Sequence, residues 1–487
     1  MSVTAVVGAG WGDEGKGKMT DALAAVADMV VRFQGGSNAG HTILNEWGKF
    51  GLRLLPSGVF RQGVVNVIGP AVALNPDDLF RELDGLAERG VPAPDLRISE
   101  RAQIVLPYHK LLDALEEERL GARRFGSTRS GIAPFYADKA LKIGVQAADL
   151  MRPGRLEERL QAALKSKNLL LHHLYGEKTL DAARIAAELH AKAQRLAPYL
   201  GDTTTLLNEA LKAGKRVLAE GQLGALRDVD HGIFPFTTSV STLAGYAAAG
   251  AGVPPQAITR IVAVTKAYTS AVGEGPLVAE LTGREADELR RRGGDAGEFG
   301  VVTGRPRRVG WFDAVAAAYG CLLQGATEVA LTNLDVLGYL ADIPVCTAYR
   351  IGGQETDRFP APALLEAASP VWKRLSGWKT DISGIRRYGE LPANARRYVD
   401  FIEERIGVPV RWISIGPRRE QLIDSWLRLA AFEPVRRRCA ARHTPLGGPP
   451  LPGRLAAQER RRRRALLLRQ DDRAVRRDGD GMLELRG

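Results

Sequence analysis

Cysteine is scarce: the 487 residues contain three, Cys321, Cys346 and Cys439, and no CxxC pair. That excludes a disulfide scaffold and a zinc ribbon. No apolar run approaches the ~20 residues that a membrane-spanning helix needs. Met1-Ser-Val-Thr-Ala-Val-Val lacks the basic start and long apolar stretch of a signal peptide. The expected location is the cytoplasm. Internal repeats are missing, and no linker precedes residue 432. Charge of one sign is in excess only locally. The formal net charge of +12 comes from 68 Lys+Arg against 56 Asp+Glu, yet Glu433 to Gly487 alone holds fifteen Arg, no Lys and seven acids. The remainder is nearly balanced and needs no nucleic-acid partner.

What is present is globular: 45% hydrophobic and 25% charged residues. The sequence divides into a catalytic-sized domain, 1–431, and an Arg-rich extension, 432–487. The extension contains Arg436-Arg-Arg, a Pro/Gly segment at 445–453 and Arg460 to Arg464. Such a composition buries too little apolar surface to offset its ordering entropy, so disorder is expected. Basic runs can bind phosphate backbones. No aromatic side chain is interleaved for base stacking, which argues against a nucleic-acid arm. Ala465-Leu-Leu-Leu468 is the one short helical stretch expected there.

Before the extension, short β-branched runs alternate with amphipathic stretches. Strands are predicted at 3–8, 29–33, 64–68, 216–219, 260–264, 328–331 and 411–414. Helices are predicted at 15–27, 76–88, 110–120, 154–165 and 180–200. This alternation predicts an α/β fold, a mixed and largely parallel sheet with helices on both faces.

The first strand–helix turn, Gly8-Ala-Gly-Trp-Gly-Asp-Glu-Gly-Lys-Gly-Lys18, carries four glycines after Gly8's strand end, two lysines and two acids. Glycines let backbone N–H groups close around phosphate, and the following helix N-terminus favours an anion. Lys16 and Lys18 can neutralise phosphate charge. The spacing is not GxxxxGK[ST], and a tight structural turn would also use glycine. Asp13 tips the reading toward a nucleotide site, because a carboxylate beside phosphate needs a metal or a proton-accepting role. Gln34-Gly-Gly-Ser-Asn-Ala-Gly-His-Thr42 follows the second strand. His41 there is placed either for general acid work or for capping a loop backbone group. Its pairing with the Asp13 loop, on a neighbouring strand, favours catalysis.

WGDEGKGK at 11–18 followed by NAGHT at 38–42 resembles the adenylosuccinate synthetase family. The resemblance continues through Leu55-Pro-Ser-Gly58, Tyr136-Ala-Asp-Lys139, Glu220-Gly221, Lys266-Ala-Tyr268, Thr303-Gly-Arg305, Leu334-Asp-Val336 and Ser414-Ile-Gly-Pro417, roughly from Val3 to Ile423. It implies a P-loop GTPase-related fold and a homodimer. The implied reaction is a GTP- and Mg2+-dependent ligation of L-aspartate to C6 of IMP, giving adenylosuccinate, GDP and phosphate, as in purine biosynthesis. The 6-oxo group is a poor leaving group and is phosphorylated before the amine displaces it. By resemblance Asp13, His41 and Lys16 are catalytic, and Asp13 and Gly40 hold the metal. GTP falls to Gly12, Glu14, Gly15, Lys16, Gly17, Lys18, Gly40, His41, Thr42, Arg307, Asn333, Asp335, Ser414 and Gly416. IMP falls to Asp13, Asn38, Thr128, Lys142, Leu223, Thr238 and Arg305, with Lys142 donated by the partner subunit. Aspartate falls to Val301, Val302, Thr303, Gly304, Arg305 and Arg307, the arginines clamping a carboxylate.

Departures from the family pattern cluster at nucleotide contacts. Ser37 stands where the family usually has His, and Asn333 where it has Lys, removing an aliphatic stem from the guanine face. EGAQG reads Glu220-Gly-Gln-Leu-Gly224, so Gln becomes Leu223, with Gln222 available to compensate. Lys142 replaces an Arg, keeping the charge and losing the fork. Alternatives follow: the same ligation on another purine-like nucleotide, including a dGMP-type substrate, or a GTP-binding regulatory protein without turnover. The latter gives Arg305 and Arg307 no task.

Overall fold

The computed structural model of the chain describes residues 2–426, apart from Ala39, Asp295, Ala296, 301–303 and Arg305. The 432–487 extension, with its expected short helix and Cys439, lies outside the described residues, as do the expected substrate residues Val301, Val302, Thr303 and Arg305.

Ten strands form the central sheet. Across it run Leu422–Asp424, Val410–Ser414, Glu328–Thr332, Ile258–Lys266, Ser2–Gly8, Arg216–Glu220, Met29–Arg32, Val65–Ile68, Asp95–Ser99 and Leu200–Gly201. Every neighbouring pair is parallel except the antiparallel edge strand Leu422–Asp424. Met29–Arg32 and Glu328–Thr332 are buried along their whole length, as expected where helices cover both faces of a parallel sheet. The predicted mixed, largely parallel α/β sheet is what the chain forms.

Helices start where their caps place them. Asn75 accepts from the Asp77 and Asp78 amides ahead of Pro76–Glu88, with proline at the first turn and two acids facing the positive end of the dipole. Asp202 and Asp313 do the same for Thr203–Lys212 and Ala314–Gln324. The helix expected to run to Leu200 stops at Leu196, because Leu200–Gly201 leaves it to pair with Ile98 and Ser99 at the sheet edge.

Two features correct the sequence reading. Met29–Arg32 is not the neighbour of Ser2–Gly8, since Arg216–Glu220 lies between them. His41 is also not in a loop: it opens the strand His41–Asn45, which turns into an antiparallel hairpin with Gly48–Leu52. A further sheet, built on Asp342–Ile351 and Ser369–Ser376, had no counterpart among the expected strands.

At the carboxyl edge of the central sheet, Arg32 and Glu220 end adjacent strands as register partners and both are buried. Apolar parallel strands that terminate in buried charge mark the ligand end of an α/β sheet.

Candidate active site

The glycine turn after the first strand is braced from within. Glu14 folds back and accepts from the Gly10 and Gly12 amides at 3.1 and 2.8 Å, while its other oxygen takes Lys16 Nζ at 2.6 Å. Gly15, at φ 96°, precedes the helix Lys16–Ala24. Gly17 must be glycine, because a Cβ there would lie 2.7 Å from His41 Cβ. That close approach seats the imidazole against the helix N-terminus. Asp13 has φ 58°, a left-handed conformation that Asp and Asn tolerate better than other non-glycine residues.

His41 is 5% exposed. Its Nδ1 donates to Glu220 Oε1 at 2.5 Å, and Glu220 is held by the Ser57 amide at 2.8 Å and the Ser57 hydroxyl at 2.5 Å. Nε2 of His41 is buried without a hydrogen-bond partner, and His41 lines the same cavity as Asp13 and Lys16. Burial pulls His41 below its ordinary value; Glu220 opposes this, and Arg32 and Lys16 add to it. Burial would raise Glu220, but His41 and Arg32 more than offset it and keep the carboxyl ionised. A carboxylate on Nδ1 fixes the tautomer and aims Nε2 outward. In the sequence Glu220 stands out only as part of the Glu220-Gly221 motif. Its role was invisible until the strand order put it between the two loops.

One cavity of about 370 Å³ collects Asp13, Gly15, Lys16, Gly17, Lys18, Gly40, His41, Thr42, Leu223, Arg307, Asn333, Ser414 and Gly416. Gly12, Glu14, Asn38, Thr128, Lys142, Thr238, Gly304 and Asp335, also expected at the site, are not in its wall. Two of these still carry an unpartnered polar atom. Thr238 Oγ1 and Asp335 Oδ1 are shielded from solvent without a partner. Burial pushes Asp335 up to about 6, with Lys18 opposing. Gly304 is exposed at φ 64°, and the Thr128 hydroxyl pairs with Ser130 at 3.0 Å. Lys142 is exposed at the end of the helix Ile132–Leu141 and does not line this cavity.

Two expectations change, and Asn333 gains a neighbour. Lys18 is not directed at phosphate: its ammonium donates to Ser414 Oγ, Gly416 O and Gln421 O at 2.7, 2.6 and 3.0 Å. All three of its protons hold the 414–421 loop, and burial brings its pKa down to about 7. Gln222 cannot stand in for a lost Gln at 223. Its Oε1 accepts from Arg32 and the Gly36 amide at 2.8 and 2.9 Å, and its Nε2 donates to Gly36 O and Asn38 Oδ1 at 3.0 and 2.6 Å. Its amide is saturated, and it orients Asn38 instead. Asn333, at φ 59°, gives its amide to the Tyr268 hydroxyl at 3.0 Å.

The arrangement unites a partly exposed carboxylate, a carboxylate-backed imidazole, a lysine and glycine-loop amides around one cavity. Phosphoryl transfer needs positioning and charge neutralisation of this kind.

A family model described as adenylosuccinate synthetase matches residues 5–423. The adenylosuccinate synthetase of Frankia alni is 45% identical over 424 residues, which cover 87% of this chain and 99% of that protein. A solved fully ligated adenylosuccinate synthetase from Plasmodium falciparum superposes with a TM-score of 0.81 at 32% identity, covering 87% of this chain and all of that one. The cyanophage S-2L succinoaminodeoxyadenylate synthetase, solved with dGMP and dATP, shares the fold at a TM-score of 0.53 and 20% identity. The chain belongs to the adenylosuccinate synthetase family, C–N ligases that join L-aspartate to IMP at the expense of GTP.

Proposed function

We propose that this chain carries out that ligation through a 6-phosphoryl intermediate, with Asp13 as base and His41 as acid. In the first step the γ-phosphoryl group leaves GDP for the purine 6-oxygen as Asp13 takes the N1 proton. His41 Nε2 stabilises charge on that oxygen, backed by Glu220. In the second step the aspartate amine attacks C6 and phosphate departs. The observation that carries the reading is His41 itself: a buried imidazole with Nδ1 fixed by Glu220 and Nε2 free, lining the same cavity as Asp13 and Lys16.

Asp13 supplies one hard carboxylate and Gly40 a carbonyl; among the described residues, no group of three His, Cys, Asp or Glu forms a metal cage. That donor set fits Mg2+, which takes one or two protein oxygens and completes its shell with substrate phosphates and water. When bound, the ion neutralises charge across the β- and γ-phosphates. We assign catalysis to residues 1–431 and no step to 432–487. Among the described residues no helix is long and apolar enough to cross a membrane.

Mass spectrometry of purified protein with GTP, aspartate, Mg2+ and either IMP, dGMP or other 6-oxopurine nucleotides tests the reading, with adenylosuccinate as the expected product. Efficient use of another acceptor with little use of IMP would favour the second reading, a shifted acceptor. That reading rests on Leu223, an apolar side chain in the cavity wall beside a saturated Gln222.

Two outcomes follow from the assignments. A homodimer in which Lys142 serves the partner's IMP site predicts complementation. Mixing inactive Asp13→Asn and Lys142→Ala subunits should restore about a quarter of wild-type activity, from the one intact site in each mixed dimer. Guanine is read by an ionised Asp335, which accepts the ring N–H and the 2-amino group. Since burial sets Asp335 at about 6, its acceptor form is lost as pH falls through that value. KM for GTP should rise about tenfold between pH 7 and pH 5, and the preference for GTP over ITP should shrink with it.

A further inference from the structure

Arg307 stands between two carboxylates. Its Nη1 donates to Glu298 Oε2 at 2.7 Å, and its Nε lies 2.9 Å from Asp13 Oδ2. The two contacts differ in kind. Glu298 is 1% exposed, and its Oε1 also accepts from Lys266 Nζ at 2.6 Å and from the Tyr268 hydroxyl. The Arg307 amide donates to the Glu298 carbonyl at 2.8 Å, tying the two residues through the backbone as well. Burial would raise Glu298, yet Lys266 and Arg307 more than offset it and hold the carboxyl at about 2. The Asp13 side chain is 22% exposed, and the Nε–H of Arg307 is not aligned as a hydrogen bond to it.

This asymmetry decides which contact yields. Taking the guanidinium from Glu298 strips a buried carboxylate of a partner, which is costly. Taking it from Asp13 leaves a carboxylate that water or a ligand can reach. An anion arriving at Arg307 therefore displaces Asp13.

We propose that Glu298 is a positioning residue that anchors Arg307, so that the carboxylate of the aspartate substrate takes over the guanidinium from Asp13 and frees that base for the first chemical step. The proposal rests on the ligase reading above. In that step the bond from the γ-phosphorus to the β,γ-bridging oxygen breaks with its electron pair going to GDP. The bond from phosphorus to the purine 6-oxygen forms, and the N1 proton passes to Asp13. No atom of aspartate takes part. An effect of a dicarboxylate on this step therefore acts through the protein, and the Glu298 variants test whether it passes through Arg307.

The test is positional isotope exchange of oxygen-18 in the β,γ-bridge of GTP, with IMP and Mg2+. Succinate serves as probe, since it has both carboxylates of aspartate and no amine; competition against aspartate in the ligation assay sets its saturating concentration. In the wild type, saturating succinate should accelerate exchange by about tenfold or more. In Glu298→Gln the acceleration should fall below about twofold and KM for aspartate should rise about tenfold, with kcat changing less. Glu298→Asp, which keeps the charge, should recover part of the acceleration. Wild-type exchange that is equally fast with and without succinate, while ligation proceeds normally, overturns the proposal and leaves the ligase reading intact. Absence of both exchange and ligation overturns the ligase reading instead.

Discussion

Asp13→Asn should abolish ligation while leaving nucleotide binding nearly intact. Asparagine is the informative replacement, because residue 13 sits at φ 58° and Asn accepts the left-handed conformation with little strain, whereas Ala would confound chemistry with a backbone penalty. The amide cannot accept the N1 proton, and it is a poorer ligand for a hard cation than a carboxylate. Loss of general-base catalysis alone costs about 10²–10⁴-fold in rate, so kcat should fall by at least about 10³-fold once the metal contribution is included. The turn itself does not depend on the Asp13 side chain: Glu14 braces it through Gly10, Gly12 and Lys16. GTP affinity by calorimetry in the presence of EDTA should therefore change by less than about threefold, since removing a surface-accessible carboxylate has a small effect on folding. Turnover within tenfold of wild type would remove Asp13 from the base role.

The sheet was legible from sequence because strands buried on both faces are short apolar runs: Ala5 to Val7, Met29 to Val31 and Val329 to Leu331 need no partner to be recognised. The two site loops were legible because glycine-rich turns carrying an acid and a histidine have few structural explanations. What stayed hidden depends on topology. Nothing local to residue 220 says that it meets residue 41; the insertion of Arg216–Glu220 between Ser2–Gly8 and Met29–Arg32 says so. Lys18 reads as a phosphate ligand by proximity to Lys16, yet on a helix two residues apart they point to different sides. Lys16 turns to Glu14, while Lys18 reaches the loop after Ser414. Asn333 lines the cavity as its motif position suggests, and its tie to Tyr268 through one amide proton could be seen only in the fold. The hairpin from His41 was masked by the glycines before it, which suggested that the loop ran on.

Glu220→Gln should reduce kcat by about 10²–10³-fold with little change in KM for GTP, because it disables the acid without touching the donor site. The isosteric amide preserves volume in a pocket where Glu220 is fully buried. Its oxygen can still accept from His41 Nδ1, but its NH2 group meets the Ser57 amide, a donor facing a donor where the carboxylate accepted at 2.8 Å. The larger loss is electrostatic. Glu220 is the group that raises the proton affinity of His41 against burial, Arg32 and Lys16. Without that charge the imidazolium is disfavoured further, so a smaller fraction of His41 carries the proton that Nε2 must present to the 6-oxygen. The sign of the pH response follows: the activity limb that depends on protonated His41 should move to lower pH in Glu220→Gln, and rate should be partly recovered on acidification. Histidine resonances followed by NMR titration should show the same displacement for His41. An unchanged His41 titration together with unchanged kcat would mean that the 2.5 Å contact at Nδ1 orients a side chain with no part in the chemistry. The acid would then have to come from another donor in the cavity wall, such as Lys16, whose Nζ is held by Glu14 at 2.6 Å.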